Sequence, residues 1–165
     1  MDDALTGRAA TGAGDVVTFI ADAALYAVEV SRVQEILDLR PVAVMPNAPE
    51  HLLGIIDLRG ANIPVVDLRR LLGRETGADT GQTRILVVSV AHGGARVIIG
   101  VKTDRVIEVT QLDEGGVQAL AEADLLRWSG SVIAGIGRLK GEVVSVLDLD
   151  RLFERVDLPD VQFAA

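Results

Sequence analysis

An internal repeat constrains this chain more than any other feature. When Gly54 is laid on Gly135, a displacement of 81 residues, nine positions are identical. Gly54, Ile55, Leu58, Gly60, Val65, Asp67, Leu68, Arg70 and Leu71 meet Gly135, Ile136, Leu139, Gly141, Val146, Asp148, Leu149, Arg151 and Leu152. Arg59 meets another cation, Lys140. A looser match joins residues 28–36 to 101–109, displaced by 73, with Arg32, Val33 and Glu35 on Arg105, Val106 and Glu108. The chain must therefore build one small unit twice. Each copy reads as strand, strand, short helical turn, loop, strand, tight turn, strand, short helix.

The repeat is rich in strand formers. Hydrophobic residues make up 49% of the chain and aromatics only 3%, so the apolar mass is Val, Ile, Leu and Ala. Val and Ile are stiff at the first side-chain torsion and favour strands. Short strands with glycine turns predict small barrels. The expected fold is mainly β, with short helices, in two small barrels packed together at about 16–75 and 83–153. Residues 1–15 are polar and Gly-rich and read as a disordered tail, and 156–165 as a C-terminal tail.

Local signals place the motifs. Strands are expected at residues 16–20 and 25–30, followed by a short turn capped by Ser31 that carries Val33 and Ile36. Leu58-Arg59-Gly60 is a tight turn in which Gly60 supplies a positive φ. Pro64 cannot donate to a ladder, so its strand is expected at an edge or with that position facing outward. Asp67 and Asp148 precede short apolar runs and read as helix N-caps rather than catalytic acids. Residues 117–126 have helical character within a long acidic connection, and Trp128 reads as a packing residue.

Several functions are excluded or find no support. The chain carries 16 basic and 24 acidic residues, a net charge of −8. Nucleic acid and anionic membrane surfaces need a basic face. There is no cysteine, so thiol catalysis and Cys-ligated metal are out. No apolar run reaches the roughly 18 residues of a membrane span. His51 and His92 read as ordinary exposed residues, without HExxH-type spacing. No Gly-x-Ser-x-Gly elbow surrounds any serine. No catalytic residue, metal or cofactor is expected, and binding is the function that remains. Arg59, on a rigid turn, is a natural interface anchor, unless it merely pairs with Asp57 or Asp67. Glu35 and Glu108 sit between apolar neighbours, where solvation is the plain reading.

These residues resemble the CheW family of bacterial chemotaxis coupling proteins, over about residues 16–155. The resemblance is carried by Tyr26-Ala27-Val28-Glu29-Val30 with Val33-Gln34-Glu35-Ile36, by residues 54–69, by 100–109 and by 135–153. It implies two intertwined, five-stranded SH3-like barrels and a non-enzymatic, cytoplasmic adaptor recruited to membrane-associated receptor arrays. Its implied partners are the cytoplasmic tips of chemoreceptors and the regulatory domain of the histidine kinase CheA. It leaves room for rings or weak self-association. Carried over by motif, Val33, Glu35 and Gly54 match kinase-binding positions, and Arg59 and Val109 match receptor-binding positions. Asn62 stands where the family usually has an apolar residue near the receptor groove, which makes that surface more polar. The alternative is a two-barrel small-ligand sensor, lidded by residues 111–131, or another protein-binding module in a receptor–kinase pathway.

Overall fold

The computed structural model describes residues 14–118, 132–154 and 156–159. Ten strands run in chain order: β1 Val16–Ala21, β2 Ala24–Glu29, β3 Val33–Asp38, β4 Leu52–Leu58, β5 Ala61–Asp67, β6 Arg84–His92, β7 Ala95–Thr103, β8 Arg105–Thr110, β9 Ile133–Leu139 and β10 Glu142–Leu147. A 3₁₀ turn, Val30–Arg32, precedes β3. Helix α1, Leu68–Leu71, follows β5, and helix α2, Leu149–Phe153, follows β10.

The strands form two five-stranded sheets. Sheet I has the order β8-β1-β2-β10-β9 and sheet II the order β3-β6-β7-β5-β4. Place for place, the second order becomes the first when β3, β6, β7, β5 and β4 are replaced by β8, β1, β2, β10 and β9. Each repeat has therefore exchanged its first hairpin with the other. Hairpin β1–β2 completes the sheet of β8, β9 and β10, and hairpin β6–β7 completes the sheet of β3, β4 and β5. The sheets accordingly do not follow the 16–75 and 83–153 halves of the sequence. Sheet II is the contiguous stretch 33–103, and sheet I is assembled from both ends around it.

Strand alternation explains the packing. Three cores result. Leu37, Ile56, Ile63, Val65, Ile85 and Val87 fill the inside of sheet II. Val16, Ala27, Leu139, Val144 and Val146 belong to the core inside sheet I. The third core lies between the sheets and includes Val17, Phe19, Val28, Leu86, Val88, Val90, Ile99, Leu152 and Phe153. In β6, Ile85 and Val87 point one way while Leu86, Val88 and Val90 point the other. Burial on both faces is why this strand reads as a continuous apolar run.

Several local expectations are corrected. Val33 and Ile36 lie on strand β3, not on a helical turn. Pro64 sits in an interior strand, between β4 and β7. Its partner across β4 is Ile55, whose N–H and C=O both turn outward to Ala43. The parallel ladder to β7 begins only at Val65, so the missing N–H is tolerated there. His51 and His92 are half-buried. His51 Nε2 lies 2.8 Å from the Asp157 carbonyl and His92 Nδ1 2.9 Å from that of Phe153, so both rings tie down the chain around and beyond α2. The expected helix at 117–126 falls mostly, and Trp128 entirely, outside the described residues. Val117 and Gln118 are described, and Gln118 bridges to Ile136 of β9.

Both N-caps are present. Asp67 Oδ1 accepts from Arg69 N–H, and Asp148 Oδ1 from Arg151 N–H. The third residue of each capping motif then reaches the opposite sheet. Arg69 hydrogen-bonds Asp104, at the β7-to-β8 crossing, and Asp22, in the β1–β2 turn. At the equivalent place Asp150 receives Arg32, from the β2-to-β3 crossing, and the N–H of Ala91 at 2.8 Å. The two clasps are related by the repeat, with their charges reversed.

Candidate partner-binding surface

In an open five-stranded sheet, β3 and β4 would be the two distant edges of sheet II. Curling brings them together. A bulge at Gln34, where Val33 pairs with Val88 and Glu35 with Val87, bends β3. The β4–β5 hairpin ends in a turn in which Arg59 has φ 52° and Gly60 φ 89°, the paired left-handed conformation of a two-residue hairpin. Asp57 Oδ1 accepts the Gly60 N–H at 2.9 Å and stiffens the tip.

Arg59 then reaches Glu35. Its Nη1 donates to Oε2 at 3.2 Å, and its Nη2 donates to Oε1. The fork is bidentate, and the acid it takes is Glu35 rather than Asp57 or Asp67. The Arg59 hydrogen bond, helped by the Arg59 and Arg40 charges, holds the Glu35 carboxyl below the usual carboxylate range. Glu35 in turn raises the Arg59 guanidinium. The Arg59 side chain remains 72% exposed, so its outer face is open to a partner while its inner face is held.

The same arrangement recurs on sheet I. Lys140 has φ 52° and Gly141 φ 86°, and Lys140 Nζ lies 3.5 Å from Glu108 Oε2. Here Asp113 stiffens the turn by accepting the N–H groups of both Gly141 and Lys140, at 2.9 Å each. Those two bonds keep its carboxyl below the usual range. Glu35 and Glu108 are thus half-buried ion-pair partners rather than freely solvated.

The other sequence-derived candidates fall as follows. Val33 is half-buried, two residues before Glu35 on β3. Gly54 is buried in β4. Asn62 is exposed on β5, opposite Asp57. Val109 is 52% exposed on β8, in the other sheet. Glu35 and Arg59 are therefore brought into contact although the resemblance assigns them to different partners, while Arg59 and Val109 stand on different sheets. Periodicity alone missed exposed Val44 and Val143; Val143 is the repeat equivalent of Asn62.

Among the described residues, no cluster of three or more His, Asp or Glu side chains could hold a metal. No described helix is long and apolar enough to cross a membrane.

A CheW-like domain model matches residues 15–157, nearly the whole chain. The chain belongs to the CheW family. The chemotaxis protein CheW of Rhizobium meliloti is 27% identical over 144 residues, covering 86% of this chain and 88% of that protein. The CheW of Thermotoga maritima is 24% identical over 146 residues, covering 88% and 91%. The crystal structure of the scaffolding protein TtCheW from Thermoanaerobacter tengcongensis superposes with a TM-score of 0.75 at 25% identity, covering 91% of this chain and 94% of that one. The CheW fold, with its two SH3-like subdomains, is the fold described above. Its barrels are the two curled sheets.

Proposed function

We propose that this chain is a non-enzymatic chemotaxis adaptor that links chemoreceptor cytoplasmic tips to the regulatory domain of the histidine kinase CheA. Val33 and Glu35 lie on the kinase face, and the buried Gly54 serves it from within the sheet. Arg59, Asn62 and Val109 serve the receptor, a helical hairpin whose apolar stripe lies against the two barrels. The protein works in the cytoplasm, recruited to membrane-associated receptor arrays. The observation that carries this reading is the Glu35–Arg59 fork. It fixes a long cationic side chain on a rigid hairpin tip and leaves most of it in solvent. Arg held in this way recognises carboxylates with defined geometry. A CheW-family scaffold gains its effect by placing partners, which needs rigid contact surfaces and no reactive centre. The sensor alternative needs a cavity between the barrels, and that space is packed by Phe19, Leu86, Phe153 and their neighbours.

Calorimetry against a CheA regulatory domain and a receptor-tip fragment from the same organism tests the reading. Glu35→Ala weakens kinase binding, whereas Arg59→Glu weakens receptor binding. Wild-type protein that is folded and binds neither partner refutes it.

A further inference from the structure

Gly54 is buried and cannot itself touch a partner. Its φ of +148° disfavours any side chain, and a Cβ built there would lie 2.1 Å from the Ala43 carbonyl oxygen. The reason is a strap. Ala43 pairs with Ile55 through two backbone hydrogen bonds of 2.9 Å, so the chain at 41–44 crosses directly over Gly54. Any larger residue would lift that strap.

The strap has an outer face. Val44 is 80% exposed, more than Ile36, Val109 or Val143. Beside it lies an open cleft of about 500 Å³, walled by Leu39, Pro41, Val42, Val44 and Leu53. Two cations line it. Lys102 is matched by Asp79 at 2.5 Å. Arg40 has no ion-pair partner among the described residues, and its field reaches Glu35. Sheet I has an equivalent strap over Gly135, whose Cβ would lie 2.5 Å from Val117 Cγ1. There Val117, 8% exposed, takes the place of Val42 against the glycine, and Gln118 the place of Ala43.

The geometry points to the strap cleft as a contact site for the CheA regulatory domain, which inserts an apolar side chain flanked by a carboxylate. Gly54 is the positioning residue that seats the strap. This rests on the kinase reading above, and it replaces Gly54 by Val44 and Arg40 as the touching residues. The apolar wall beside one unmatched cation selects an apolar group next to an acid. The cleft also continues the β3 edge that carries Val33 and Glu35, so both can be covered at once.

The test is calorimetry of the full chain against the kinase regulatory domain, with receptor-tip binding measured alongside. Val44→Asp and Arg40→Glu each weaken kinase binding by tenfold or more, while receptor binding and thermal midpoint stay at wild-type values. Arg40→Lys retains binding. Gly54→Ala loses kinase binding together with faster amide exchange at Ala43 and Ile55, whereas Val44→Asp loses binding with normal exchange there. If Gly54→Ala does not fold, the two exposed-site variants decide. Wild-type affinity in both Val44→Asp and Arg40→Glu overturns the proposal. A wild-type chain that binds no CheA domain instead overturns the functional reading on which it rests.

Discussion

Phe153 offers the most direct test of the three-core architecture. Its side chain is fully buried in the core between the sheets, alongside Phe19, Leu86 and Leu152. Phe153→Ala removes a ring that the two β-sheets share and leaves a cavity between them. Truncating a buried Phe costs about 3–5 kcal/mol. In a domain of this size each kcal/mol moves the midpoint by roughly 2–4 °C. The expected drop is therefore about 6–20 °C, read by calorimetry or circular dichroism. Because the affected core belongs to neither barrel alone, the transition should stay single and move as a whole. Val143→Ala is the control: that residue is 52% exposed, and a surface change of this kind stays within about 0.5 kcal/mol. A Phe153→Ala shift under about 3 °C would refute the shared core. So would a split transition with one half unmoved, because the barrels would then be independent.

Three further outcomes follow from the polar contacts. In Asp104 burial opposes the charge but is outweighed by the Arg69 hydrogen bonds, the Asp22 N–H and nearby cations, so its pKa lies below the normal value. A depressed carboxyl stabilises fully above the unfolded value of about 3.9 and stops doing so as pH falls through the folded one. The urea midpoints of wild type and Asp104→Asn should thus converge below about pH 4; a gap constant from pH 7 to pH 2 would remove the charge from the explanation. For the hairpin tip, Glu35→Arg and Arg59→Glu should each lose the ion pair, and the double exchange should regain it, visible as a thermal midpoint closer to wild type than either single change gives, while receptor affinity stays low because position 59 is still an acid. Asp113→Ala should speed amide exchange at both Lys140 and Gly141, whereas Asp57→Ala should speed it at Gly60 alone, because that is the one tip N–H its carboxylate receives.

The repeat made the hairpins, their Gly turns and both Asp caps legible, because each depends on neighbours within a few residues. The partners of those hairpins were not legible. Val28 matches Val101 in sequence because β2 and β7 occupy equivalent places, but equivalence says nothing about which strands lie beside them. The β1–β8 pairing joins Val17 to Val109, a long-range choice made by packing. Pro64 was misplaced for a related reason: its tolerance depends on Ile55 turning toward Ala43. Glu35 and Arg59 were both singled out, yet their contact exists only once sheet II curls. The buried role of Gly54 required the strap, which leaves no periodic trace in residues 39–44.

The hairpin exchange also sets an order of events during synthesis. Chains emerge from the ribosome N-terminus first. Every strand of sheet II lies between Val33 and Thr103, so that barrel has all its parts once Thr103 is out. Hairpin β1–β2 emerges before any of it, but its flanking strands are β8 and β10. Until Leu147 has been made, Val17, Phe19 and Val28 have no finished sheet of their own to belong to. The first of the ten strands to be made is thus enclosed only once the last of them has emerged.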